Sequence, residues 1–362
     1  MATPYLYASI GETFGQLSGV LNLGVDGIML MGAYAAFYTA LRTGSLALGL
    51  LAAIVVGGLF GLLMAFVSVT MKAEQGISGI GIYLFGLGLS ELLFKKTLGT
   101  VETISGFPRI HIPWLSDLPV VGRIFFQQNL LVYIAFALVP ISWFVLNKTP
   151  LGLKIRAVGM NPEAADSLGV NVTRVRYAAV TLGGVLSGVA GASLSIALLN
   201  VFQQNLTNGM GFIAVALVYF GGWRPLGLLG GALLFSLVNA FQLWIQVEGV
   251  INIPSDFALM MPYVITILVL AAMARRRVNA PTALNKPFDR GGLAKGGHSR
   301  HTRSDAQGNT VHKQNEKESA KHENETRCIT GRFVDRNPCL LRRILGCCGT
   351  VPRCGCDAQF DQ

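Results

Sequence analysis

Charge is scarce in this chain of 362 residues. Asp, Glu, Lys and Arg together make 13% of it, where a soluble domain carries about 25%. With 52% hydrophobic residues beside it, that shortage excludes an ordinary soluble domain and predicts a membrane protein. No signal peptide stands before the first apolar run, so neither export nor cleavage is expected. Cysteine is missing until the tail: all six copies are Cys328, Cys339, Cys347, Cys348, Cys354 and Cys356. The apolar region therefore uses no disulfides. No G-x-x-x-x-G-K-[ST] run occurs, so nothing here forms a P-loop for ATP phosphates. Before the tail the only histidine is His111. No catalytic constellation surrounds it, and neither enzyme chemistry nor a resident cofactor is expected. The net charge of +10 would suit nucleic acid, but the basic residues gather between and after apolar runs. That is the pattern of loops on the inner side of a membrane, and no nucleic-acid partner is expected.

What is present is a series of apolar runs, each about 20 residues long as a crossing requires. They cover 5–21, 25–41, 46–70, 77–98, 129–147, 177–200, 209–222, 226–246 and 255–274. The expected fold is an all-α, polytopic transmembrane helical bundle of about eight or nine membrane segments. The run 209–222 is short and 5–21 carries Glu12 and Gln16. Either is a candidate for a broken or re-entrant segment, tolerated where protein or a wet cavity surrounds it. Lys148, Lys154, Arg156, Arg174 and Arg176 in the loop 148–176, and Arg275 to Arg277, mark cytoplasmic positions. The loop 99–128 then falls outside, although Lys95, Lys96, Arg109 and Arg123 fall with it. The 43 glycines include pairs four apart: Gly11/Gly15, Gly15/Gly19, Gly57/Gly61, Gly184/Gly188 and Gly227/Gly231. Such pairs share a helix face and let neighbouring backbones approach closely. The membrane domain is read as 1–277. From Val278 to the end, 278–362, composition turns polar and basic without apolar periodicity, which predicts a disordered cytoplasmic tail outside the bundle. Its four cysteines between 347 and 356 lack the paired C-x₂-C spacing of a zinc site, and no metal is assigned.

One polar stretch stands in the middle, "KIRAVGMNPEAADSLGVNV", Lys154 to Val172. Asn161 can accept from the first free N–H groups of a helix. Pro162 suits the first helical position, Glu163 complements the dipole, and Gly169 stands where a left-handed cap would end it. The result is a stopped helix over 162–168, the only capped polar helix expected between spans. Physics alone leaves a surface connector and a docking element open. The wording adds a resemblance. "EAADSLG" (Glu163 to Gly169), with Ala164 and Ala165 inside it, resembles the E-A-A-x-x-x-G motif of permease subunits in binding-protein-dependent ABC importers. "GQLSGVLNLGVDGIMLMGAYAAF" (Gly15 to Phe37) and "GFIAVALVYFGGWRPLGLLGGALLF" (Gly211 to Phe235) resemble the simple-sugar and nucleoside branch. Gly19 to Gly27 looks closest to permeases served by the basic-membrane-lipoprotein type of receptor.

The resemblance covers about 5–275. It implies a cell-membrane, multi-pass subunit in the lipid bilayer, paired with a second permease. A cytoplasmic ATPase that binds the ATP would seat the 162–168 helix in a groove, and an external lipoprotein would deliver a nucleoside or simple sugar. Members often carry another span before the first signature; here Met1 stands almost on it, so the number of spans stays open. Polar groups at membrane depth face the bundle interior, which makes Glu12, Gln16, Asn22, Asp26, Glu91, Asn239 and Gln242 candidates for the path, with Trp244 as an aromatic partner for a flat base. Each could instead bridge helices, and Asn22 and Asp26 could cap them. Two other functions compete. An ion-coupled secondary transporter would use a titrating carboxylate such as Glu12 or Glu91. A membrane scaffold would transport nothing.

Overall fold

The computed structural model describes residues 1–108, 127–248 and 280–288, with single residues between 260 and 271. Among the described residues ten α-helices follow one another: α1 (Ala2–Leu17), α2 (Val25–Thr43), α3 (Leu46–Ala65), α4 (Gln75–Thr97), α5 (Leu130–Lys148), α6 (Pro150–Met160), α7 (Pro162–Ser167), α8 (Val172–Ala192), α9 (Met210–Gly221) and α10 (Pro225–Glu248). Short π-helical extensions continue α3 to Thr70 and α8 to Leu198. No strand forms among the described residues. The all-α bundle expected from the apolar runs is what the chain builds, and among the described residues five helices are long and apolar enough to cross a membrane.

Burial sorts the helices. α1 is buried on every side from Ala2 to Gln16, as a central helix must be. α8 packs along it and α2 lies against α8, both also largely buried. α3, α4, α5 and α10 form the outer layer. Each turns an apolar face outward, such as Leu51, Val55 and Leu59 on α3. An exterior so rich in apolar side chains suits hydrocarbon.

The centre closes through glycine. A Cβ on Gly188 would stand 2.4 Å from the Ala53 carbonyl oxygen, and one on Gly184 2.5 Å from that of Gly57. On the other side Gly32 meets the Gly188 backbone, and Gly11 meets Gly183. Main chain therefore lies on main chain where α8 crosses α1, α2 and α3. Between helices in lipid there is no hydrophobic drive, so such close packing supplies the attraction.

The two runs read as irregular behave differently. The first is an unbroken helix, α1, but the chain after it folds back. Val20 N–H donates to the Gly15 carbonyl at 3.1 Å and Asn22 N–H to the Glu12 carboxylate at 3.0 Å. The second is a true half-helix. α9 has 12 residues, about 18 Å of rise, against the roughly 30 Å of a hydrocarbon core. An irregular stretch, 199–209, leads into it with Phe202, Leu206 and Thr207 buried. Those three anchor the stretch to the bundle, while Gln203, Gln204, Asn205 and Asn208 stay exposed.

Two expectations change. The stretch 148–176 is not a loop with one helix; α6 precedes α7. Thr149 Oγ1 accepts from Gly152 N–H at 3.3 Å and Pro150 opens the helix, the same cap-and-proline start that Asn161 and Pro162 give α7. The boundary at 277/278 also moves: the compact unit runs Met1–Phe288, and 280–288 packs on the bundle. The rest of the tail with its cysteines, most of the run 255–274 and most of the loop 99–128 lie outside the described residues.

Gly188→Val should fail to yield monodisperse protein in detergent, because neither backbone can yield. Its destabilisation should reach at least the ~3 kcal/mol of a badly overpacked core. Gly81→Val, where an added Cβ meets nothing within 4 Å, should purify normally.

Candidate functional site

α7 is built as its sequence dictates. Asn161 Oδ1 accepts from Ala164 N–H at 3.0 Å, and the helix ends where Gly169 takes φ +83°. Gly169 N–H and Val170 N–H close the turn on the Asp166 and Ala165 carbonyls at 2.9 and 3.0 Å. Glu163 and Ala164 are exposed. Ala165 is not: it packs with Val158 of α6 and Val172 of α8. Its small size seats α7 on its own chain, so of the two alanines only Ala164 faces out. Leu168, at the end of the helix, is 84% exposed, far more than an isolated apolar side chain in water favours. Asn171 belongs to the next helix, where its Oδ1 accepts from Arg174 N–H at 3.0 Å.

The polar residues of the interior form two clusters. In the first, Glu12 Oε1 accepts from the Asn22 main-chain N–H at 3.0 Å and from Gln16 Nε2 at 3.1 Å. Gln16 Oε1 accepts from Trp223 Nε1 at 2.9 Å, and Asn22 Oδ1 from Gly24 N–H at 2.8 Å. All four side chains are buried. Glu12 follows Gly11, whose partner Gly183 lies eleven residues into α8, so the cluster sits about 15 Å along that helix. In the second, Asp26 receives Thr207 Oγ1 at 3.1 Å and Gly211 N–H at 2.8 Å. Asp26 thus caps α9, not its own helix, and a carboxylate at a helix N-terminus is favoured by the dipole. Together the clusters fix the fold-back turn 18–24 and the half-helix α9 onto α1 and α2.

Four other candidates lie elsewhere. Glu91 points outward and pairs with Lys95 at 2.8 Å. Trp244 is 48% exposed and stacks on Phe241. Asn239 is half-buried. Gln242 is buried, but it stands seventeen residues into α10, about 25 Å from the end near Trp223.

The residues that sequence reasoning missed are Trp223, Thr207 and an aromatic pair. The rings of Tyr83 (α4) and Phe212 (α9) meet edge to face at 5.0 Å, both partly exposed. They flank the Asp26 cluster, because Gly27 lets α4 approach so closely that a Cβ there would lie 2.7 Å from Tyr83 Cα. Nothing in an apolar run distinguishes two such aromatics from ordinary core.

This arrangement offers no nucleophile and acid–base pair. It offers a capped, exposed helix at one end and a bundle whose polar interior is spanned by half-helix and turn. Residues 1–270 match the family described as branched-chain amino acid transport system / permease component. The chain belongs to that family. The permease is 36% identical over 301 residues to NupQ of Bacillus subtilis, a guanosine ABC transporter permease protein, covering 80% of this chain and 94% of that one. It is 37% identical over 294 residues to NupC of Lactococcus lactis, a nucleoside ABC transporter permease protein, covering 78% and 92%. It is 40% identical over 315 residues to TsgC13 of Haloferax volcanii, a permease protein named for glucose ABC transport, covering 80% and 95%. No solved structure matches the permease.

Trp223→Phe keeps the ring but strands the buried Gln16 oxygen. Thermal unfolding of the detergent-purified permease should report a loss of about 1–3 kcal/mol. Glu91→Gln, on the outer face, should leave the melting temperature unchanged.

Proposed function

We propose that this permease forms the translocation path for a nucleoside in an ABC importer, without an ATPase site of its own. A separate cytoplasmic ATPase drives it through α6 and α7. A second permease subunit completes the path, and an external substrate-binding lipoprotein delivers the cargo. The observation that carries this reading is α7 itself: a capped, exposed helix that ends in a bare leucine, on a chain related to ABC permeases over most of its length. An exposed apolar tip beside exposed Glu163 and Ala164 fits a groove in a partner. Exposed Lys148, Lys154 and Arg174 around it support a cytoplasmic position for this end, and a cytoplasmic tail is part of the proposal.

The nucleoside is favoured by two relatives named for nucleosides and by the Tyr83–Phe212 pair. Part-exposed aromatic rings at membrane depth can stack on a flat base, and the facing permease subunit would close the other side. A simple sugar is the second reading, supported by the relative named for glucose transport. The polar residues Glu12, Gln16, Asn22 and Asp26 hold the moving parts of the path in place. The ion-coupled alternative loses ground, because Glu91 faces outward in an ion pair and Glu12 is already engaged by two donors.

In vesicles carrying both permeases, the ATPase and the receptor, labelled guanosine uptake should require ATP. Gly169→Val forces a side chain into a left-handed position, and Leu168→Asp removes the apolar tip. Each should cut uptake at least tenfold, with the ATPase no longer co-purifying. Asn171→Ala should weaken α8 by about 1 kcal/mol while the ATPase stays bound. Full uptake by both α7 variants with the ATPase attached would reduce α7 to a connector. Uptake driven by an ion gradient without the ATPase would favour the secondary transporter.

A further inference from the structure

Arg176 is among the largest fully buried side chains of the protein. It stands in the second turn of α8, five residues past the N-cap Asn171. Its acceptors are main-chain carbonyls from two distant segments. Nε donates to Ser18 O at 3.2 Å, at the start of the fold-back turn 18–24. Nη1 donates to Lys286 O at 3.2 Å, in the segment that follows the membrane domain. Gly19, at φ +91°, lets the turn lie against the guanidinium: a Cβ there would stand 3.0 Å from Nη2 and 3.1 Å from Ala283 O. A buried cation is tolerated only where carbonyls or charges surround it, so both segments are held to it.

The segment 280–288, "APTALNKPF", also grips the docking helices. The last carbonyls of a helix have no partner within it. Ala283 N–H reaches the Gly159 carbonyl at 3.0 Å, and Thr282 Oγ1 donates to the Met160 carbonyl, so the end of α6 is capped from outside. Phe288 packs against the cluster of Val158, Ala165 and Val172, which includes the buried face of α7. Leu284 packs on the main core. Pro281 and Ala283 are buried. One nine-residue strap thus touches α6, α7 and the turn 18–24, with Arg176 of α8 at its hub. The turn in turn carries Asn22, whose main-chain N–H is bonded to Glu12.

We infer that Arg176 and the strap 280–288 form a brace that carries movement of α7 to the turn 18–24 and so to the polar interior of the bundle. The inference rests on the coupling reading of α7. Arg176 is a positioning residue, touching neither substrate nor nucleotide. A brace of this kind makes a specific demand: without it the ATPase still docks and still hydrolyses ATP, but its stroke ends in α7.

Four versions of the permease, assembled with ATPase, second permease and receptor in lipid vesicles, test this: full length, truncated after Arg290, truncated after Asn279, and Arg176→Lys. Lysine keeps the charge but cannot reach two carbonyls with a fixed fork. The truncation after Arg290 keeps the strap and should transport within twofold of full length. The truncation after Asn279 and Arg176→Lys should retain the bound ATPase and receptor-stimulated hydrolysis within twofold. Uptake per ATP hydrolysed should fall at least tenfold in both. If uptake and hydrolysis fall together in step with the amount of assembled complex, the strap only supports folding and the brace is wrong. Normal transport after removal of the strap overturns it equally, as does failure of both altered chains to accumulate in the membrane. ATP-independent uptake by the full-length complex would instead sink the coupling reading, and the brace with it.

Discussion

Four glycines line the buried side of α8, and the bundle depends on them. Gly183, Gly184, Gly188 and Gly191 each press on backbone of α1, α2 or α3. Lipid tails compete with leucine for leucine, so apolar side chains alone give little reason for these helices to associate. Direct backbone contact does, since it places more atoms at van der Waals distance than any lipid could. It also has a cost in the design of α1: a helix surrounded so tightly must bury its polar residues wholly.

Glu12 and Gln16 are those residues, and they explain the two irregular segments. A buried carboxylate needs donors at fixed positions. The turn 18–24 supplies one by doubling back along α1, and Trp223, just beyond the half-helix α9, supplies Gln16. The stretch 199–209 brings Thr207 and the start of α9 to Asp26 in the same way. The places where the chain departs from simple crossings are thus the places where internal polarity is satisfied. They are also where a path through a membrane must be able to change shape.

Much of this was legible beforehand, and the gaps have physical causes. Long apolar runs gave the described helices to within about five residues at each end, because a crossing has few alternatives. Asn161, Pro162 and Gly169 announced α7 through stereochemistry that needs no tertiary context. The same start at Thr149 and Pro150 went unread, because Leu151 and Leu153 look like the tail of a span. Glu91 was placed inside on polarity alone, although Lys95 one turn later is a surface pairing signal. Arg176 was counted as a loop charge because a sequence shows sign and not burial. The strap vanished into the average composition of the tail, nine residues among many polar ones. Tyr83 and Phe212 could not be singled out, since only the approach of α4 to Gly27 brings them together.

Leu168 has a consequence for the life of the subunit rather than its work. A leucine this bare is, in water, an apolar spot that costs the uncovered chain free energy. If α7 seats in an ATPase as proposed, a permease made in excess of that partner keeps the tip bare. Surplus chains would then differ from assembled ones in exposed apolar surface, a difference that assembly alone removes.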